Sequence, residues 1–101
     1  MRQACRIDAN HNEIKKVFLY FGFDVIDTSS FSGKMLDLFV SLGSHFFQFI
    51  EIKDGNKPKS KRKLTPDEIA FIEKHKENCT IIETKDQAIR YCSYVIAGEK
   101  F

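Results

Sequence analysis

The stretch Asp37-Leu38-Phe39-Val40-Ser41-Leu42-Gly43-Ser44-His45-Phe46-Phe47-Gln48-Phe49-Ile50-Glu51-Ile52-Lys53 decides the fold. Two runs rich in aromatic and β-branched residues flank the short turn Leu42-Gly43-Ser44, and such spacing favours a β-hairpin. Strands are expected over Lys34–Ser41 and His45–Lys53. Alternate residues of a strand share a face. In the second strand Phe47, Phe49, Glu51 and Lys53 fall on one face, opposite Phe46, Gln48, Ile50 and Ile52. In the first, Met35, Asp37, Phe39 and Ser41 share a face. A hairpin through the turn brings Asp37 level with Glu51. Two carboxylates and a lysine then converge at one end of a sheet.

The other elements follow outward from this hairpin. Upstream, Ile14, Val17, Phe18 and Phe21 recur at helical spacing. Asn10 and Glu13 have the spacing of a capping box, and Gly22 can end that helix. Phe23–Asp27 reads as a short strand and Thr28–Gly33 as a polar turn region. Downstream, Asp54–Pro66 is a long loop. Thr65-Pro66-Asp67-Glu68 then combines a capping threonine, a proline at the first helical position and a glutamate three residues on. This second helix is expected to reach about Lys76. Cys79–Glu83 is a short β-branched strand, and Thr84 with Gln87 opens a third helix that Gly98 can end. The order α-β-β-β-α-β-α predicts an α/β fold with a mixed central sheet flanked by helices. The length allows one domain, residues 1–101.

Composition narrows the function classes. Apolar residues make up 43% and charged residues 30%, a globular mix and not a disordered one. Ten Phe and no Trp predict a core built largely from phenyl rings. The most apolar stretch, Leu38–Ile50, is broken by Ser41, Gly43, Ser44, His45 and Gln48, so no membrane span is expected. Met1–Asn10 lacks the apolar centre of a secretory signal, which points to a cytoplasmic protein. Cys5, Cys79 and Cys92 have no C-x-x-C spacing and read as buried thiols. His11, His45 and His75 lack mutual ligand spacing and read as surface or loop residues.

The net charge of +2 hides its distribution. Lys57, Lys59, Lys61, Arg62 and Lys63 crowd into the Asp54–Pro66 loop against Asp54 alone. In isolation such a run is a solvated connection. Its position directly after Lys53 gives it a second reading, as a phosphate-contacting surface. The paired carboxylates carry the same ambiguity. Glu51 and Lys53 alone form an ordinary exposed pair at a strand end. With Asp37 beside them, like charges meet, and that is unfavourable unless something neutralises them. A divalent ion does so, and oxygen ligands select a hard one, Mg²⁺ or Mn²⁺.

Three segments together resemble a known family. Met35-Leu36-Asp37-Leu38-Phe39-Val40, Phe49-Ile50-Glu51-Ile52-Lys53-Asp54-Gly55 and Lys63-Leu64-Thr65-Pro66-Asp67 look like the VRR-NUC branch of the PD-(D/E)xK nucleases. The resemblance extends from Arg6 to about Tyr91 and includes the element order. Two positions depart from the pattern: Leu36 stands where proline precedes the aspartate, and Glu68 where many relatives carry glutamine. The resemblance implies a restriction-endonuclease-like core and a Mg²⁺-dependent endonuclease for which Mn²⁺ can substitute. Small phage and bacterial members of the family are associated with Holliday-junction cleavage as homodimers.

By the same resemblance Glu13 joins the catalytic group with Asp37, Glu51 and Lys53. Asp37 and Glu51 would be the metal ligands, with the Ile52 carbonyl as a third. Lys53 would orient the attacking water and offset charge on the scissile phosphate. Lys57, Lys59, Lys61, Arg62 and Lys63 would contact DNA phosphates without reading bases. Two further readings stay open: a nuclease-fold protein that binds nucleic acid or a partner protein without cutting, and a sheet-edge interaction module. Homodimerisation is expected through helix one and the Phe23–Phe31 segment, drawing on Phe21, Phe23, Phe31, Phe46 and Phe71.

Overall fold

In the computed structural model, which describes residues 9–31 and 35–99, the chain runs α1 (His11–Tyr20), β1 (Asp24–Asp27), β2 (Leu38–Leu42), β3 (Phe46–Ile52), α2 (Pro66–Lys74), β4 (Cys79–Ile82) and α3 (Lys85–Glu99). Short 3-10 turns occupy Lys59–Lys61 and Lys76–Asn78. This is a mixed α/β fold. Cys5, Arg6 and the expected strand start at Lys34 lie outside the described residues.

Gly43 turns the chain between β2 and β3 at a φ of 65°, a left-handed backbone that glycine enters without a Cβ clash. That turn fixes the register: Leu38 faces Ile50 and Phe39 faces Phe49, antiparallel. β1 adds antiparallel to β2, with Ile26 opposite Phe39. β4 returns parallel to β3, with Glu51 opposite Ile81, so the sheet order is β1-β2-β3-β4.

The two faces of this sheet differ. Leu38, Val40, Ile50, Ile52 and Ile82 are buried against Ile14, Val17 and Phe18 of α1 and Ala88, Cys92 and Val95 of α3. Phe18 meets Phe23 edge-on, centroids 5.3 Å apart, and completes this core. The opposite face carries Ile26, Phe39, Phe47 and Phe49, and among the described residues α2 lies over it. α2 buries no residue fully. It rests on the sheet through Phe71, whose ring meets Phe49 edge-on at 4.9 Å. Its start is well made: Thr65 Oγ1 accepts the Glu68 N–H, Glu68 Oε1 accepts the Thr65 N–H, and Pro66 opens the helix.

Several local expectations need correction. Asn10 makes no capping bond; its amide is used for tertiary contacts instead. β2 begins at Leu38, because Leu36 and Asp37 turn their carbonyls to Thr28: the Thr28 hydroxyl donates to the first and its N–H to the second. α2 ends at Lys74, and α3 runs on through Gly98 to Glu99. His11 is buried, not a surface residue, because α1 turns it toward the sheet with Ile14 and Phe18. Cys92 is buried and Cys79 half-buried. Burial pushes the Cys92 thiol up to about 12, which leaves it inert. No helix among the described residues is long and apolar enough to cross a membrane.

Candidate active site

Asp37 sits one residue before β2, Glu51 next to last in β3, and Lys53 just beyond it. The structure brings the three together. Asp37 Oδ2 accepts the Ile52 N–H at 2.8 Å, extending the hairpin past its last paired residues with a side chain. Lys53 Nζ lies 3.2 Å from Glu51 Oε2 and 2.9 Å from Glu68 Oε1. The Glu51 carboxyl is within hydrogen-bonding reach of both Asp37 and Glu68. Glu51 is only 3% exposed.

The electrostatics follow from that crowding. Burial raises the Asp37 carboxyl above its ordinary range. Burial also raises Glu51, to about 9, and the charges of Asp37 and Glu68 push the same way. Glu51 therefore holds a proton at neutral pH unless a further cation enters. Burial works to lower Lys53, but the hydrogen bond to the Glu68 carboxylate, with Glu51 also beside it, outweighs this and holds the ammonium above its usual value. A raised lysine suits charge compensation and not proton abstraction. Burial works to raise Glu68, and its hydrogen bonds with Glu51, Thr65 and Lys53 overcome it and hold it low.

Glu13 is not brought to this cluster. It is exposed and lines a groove of about 480 Å³ between α1 and α3 with Lys16, Val17, Tyr20, Phe21, Lys85 and Ile89. Two residues along a helix amount to about 200° of rotation, so Glu13 points away from the face that carries His11. His11 takes the place nearer the site. Its Nε2 lies 3.0 Å from Asp27 Oδ2, which Lys15 Nζ also approaches at 3.3 Å. Burial works to raise Asp27, while hydrogen bonds from Ser29, His11 and Lys15 outweigh it and hold the carboxyl well below its usual range. The sequence carries a signal for this: His11, Ile14, Lys15 and Phe18 fall at i, i+3, i+4 and i+7.

Backbone bonds fix the strand end beneath the cluster. Asn10 Nδ2 donates to the carbonyls of Lys53 at 3.1 Å and Glu83 at 2.8 Å, tying the start of α1 to the ends of β3 and β4. The Lys53 N–H donates to the Ile82 carbonyl and the Gly55 N–H to that of Glu83. A Cβ on Gly55 would lie 2.8 Å from the Glu83 oxygen, so only glycine permits this approach.

The basic loop leads from this end of the sheet to α2. Lys57, Lys59, Lys61 and Lys63 are exposed. Arg62 is committed within the molecule: Nη1 lies 3.1 Å from Glu83 Oε2, and Nε donates to the Lys57 carbonyl at 2.7 Å.

Among the described residues no three His, Cys, Asp or Glu side chains are grouped so as to hold a metal ion. No family model, no curated protein and no solved structure matches the chain.

Proposed function

We propose that the protein is a Mg²⁺-dependent, structure-selective endodeoxyribonuclease of the VRR-NUC type with a restriction-endonuclease-like core, acting on branched DNA in the cytoplasm. The observation that carries this reading is the meeting of Asp37, Glu51 and Lys53 at one end of the β2–β3 hairpin, with Asp37 held by the Ile52 N–H. Two adjacent carboxyls, the half-buried Asp37 and the buried Glu51, both raised by their surroundings, favour a cation between them. Their donors are all oxygen, which suits Mg²⁺ or Mn²⁺. The Ile52 carbonyl, on the same strand end, would be a further oxygen donor beside this pair. When bound, the ion acidifies water and shields the phosphate.

The chain's own residues supply the rest. Asp37 and Glu51 would hold the cation through their carboxylate oxygens. Lys53, kept protonated by its neighbours, offsets charge developing on the phosphate. Lys57, Lys59, Lys61 and Lys63 bind flanking phosphates, with Arg62 bracing their loop against Glu83. Glu13 has no part in this mechanism.

Two opposed nicks in a four-way junction require two sites, which a two-fold dimer supplies. Leu19 and Tyr20 on α1 and Phe31 beyond β1 are exposed and suit such an interface; Phe23 is buried and does not. One observation favours the non-cutting alternative. The Glu68 carboxylate already pairs with Lys53, the group that a phosphate would need.

Incubation with four-way junction, flap and linear duplex DNA, in Mg²⁺ and in EDTA, tests the proposal. Cleavage of branched DNA in Mg²⁺ alone supports it. No cleavage of any substrate in Mg²⁺ or Mn²⁺ leaves the binding role. Light scattering tests the dimer, with and without junction DNA.

A further inference from the structure

The sheet face that ends in Glu51 and Lys53 carries a continuous row of rings. Phe47 packs on Phe39 at 5.7 Å between centroids, Phe39 on Phe49 at 5.0 Å, and Phe49 on Phe71 at 4.9 Å. His75 closes the row, 4.6 Å from Phe71. Phe47 is 45% exposed, Phe39 and Phe49 are half-buried, and Ile26, opposite Phe39 in the sheet, is 55% exposed. The other face of the same strands is almost wholly buried. The core therefore does not account for the rings of Phe39 and Phe47.

Position and charge indicate what the row suits. Phe49 and Glu51 are consecutive residues on one face of β3, roughly 7 Å apart at the usual rise per residue. The rings thus lead into the carboxylate–lysine site. Cations border them: Lys53 at one end, Lys74 in a cleft with Asp67, Ala70, Phe71 and His75 at the other, and the exposed loop lysines where α2 begins. Aromatic faces beside a cationic track are the arrangement by which proteins hold unpaired nucleotides, since every base has a π-face and every linkage a negative charge. A protein partner would need the rings and gain little from the cations.

We propose that Phe47, Phe39 and Phe49 form a stacking track for unpaired bases, so that the substrate presents a single-stranded segment next to the phosphate at Asp37, Glu51 and Lys53. This rests on the nucleic-acid reading and names its substrate class. A duplex keeps its bases stacked on one another and offers the rings nothing. A flap, gap or junction arm end exposes them.

The test is binding in EDTA, so that cutting plays no part. Anisotropy is read for a single-stranded thymidine 12-mer and for an abasic 12-mer of equal charge. Wild type is compared with Phe47→Ala, Phe39→Ala and Phe47→Trp. Wild type is expected to bind the thymidine strand at least about fivefold more tightly than the abasic one. The alanine variants should lose that preference while keeping their abasic affinity, and Phe47→Trp should retain it. Equal affinity of wild type for both strands overturns the stacking track and leaves the nuclease reading standing. No binding of either strand likewise overturns the track, while the junction-cleavage assay in Mg²⁺ decides the nuclease reading separately. A wild-type dimer that Phe47→Glu converts to monomer in sedimentation identifies a second copy as the occupant and overturns the track. Melting curves confirm that each variant is folded.

Discussion

Lys53 Nζ and Glu68 Oε1 lie 2.9 Å apart, and the same oxygen accepts the Thr65 N–H at 2.8 Å. One carboxylate closes the cap of α2 and pairs with the site lysine. Its charge therefore acts on a hydrogen bond that a neutral amide could make equally well. Glu68→Gln should keep the cap, through the amide oxygen, and release Lys53 from its counter-charge. At low salt, DNA affinity in EDTA should rise about tenfold, the effect of one charge a few ångströms away in a screened site. The melting temperature should change little. Anisotropy and a thermal scan check both, and unchanged affinity would show that Lys53 does not meet the phosphate.

Asp37→Asn, Glu51→Gln and Lys53→Ala should each lower cutting by at least about a hundredfold, with DNA binding retained in Lys53→Ala. Gel assays of junction cleavage report this. Wild-type rates in Glu51→Gln would remove the metal assignment.

The same Glu51→Gln variant carries a pH prediction. The folded protein raises Glu51 to about 9, so between an ordinary carboxyl value and that figure the native state binds more protons than the unfolded one. Stability then falls as pH rises through this window. Glu51→Gln should stabilise the metal-free protein by about 1–3 kcal/mol at pH 8, and by much less at pH 5. Denaturation in EDTA at both pH values measures the difference.

Asp27 has the opposite sign. Its folded value is depressed by Ser29, His11 and Lys15 against the pull of burial, so its stabilisation is complete above the unfolded carboxyl value and is lost as pH falls below it. Asp27→Asn should cost about 2 kcal/mol at pH 7 and progressively less toward pH 2. Parallel melts of the two proteins across that range test this.

Replacing the exposed Lys59, Lys61 and Lys63 with glutamine should reduce the slope of log affinity against log salt by about 2–3. Arg62 is left in place because it anchors to Glu83. An unaltered slope would return the loop to the role of a solvated connection.

The hairpin was legible because its information is local. Gly43 sets the turn, the turn sets the register, and alternation then brings Asp37 and Glu51 together. The α2 cap was legible for the same reason. Asn10, Glu13 and His11 were misread because their roles depend on which way α1 lies against the sheet. Asn10 has the chemistry of a cap, but the carbonyls of Lys53 and Glu83 lie within its reach and take its amide. His11 and Asp27 are distant in sequence, and their pairing follows from packing that no short pattern expresses. The Glu68–Lys53 contact joins residues fifteen positions apart, and its geometry needed the tertiary fold.

α2 has no buried anchor of its own. It is held by Phe71 on Phe49 and by Glu68 on Lys53, and both receiving residues belong to the candidate site. A guest that takes Lys53 from Glu68 thereby loosens the helix. By reciprocity, a helix pinned in place weakens the guest by the same factor. Seating of α2 and occupancy of the site are thus two readings of a single equilibrium, and hydrogen exchange along Pro66–Lys74 becomes a gauge of whatever the site has taken in.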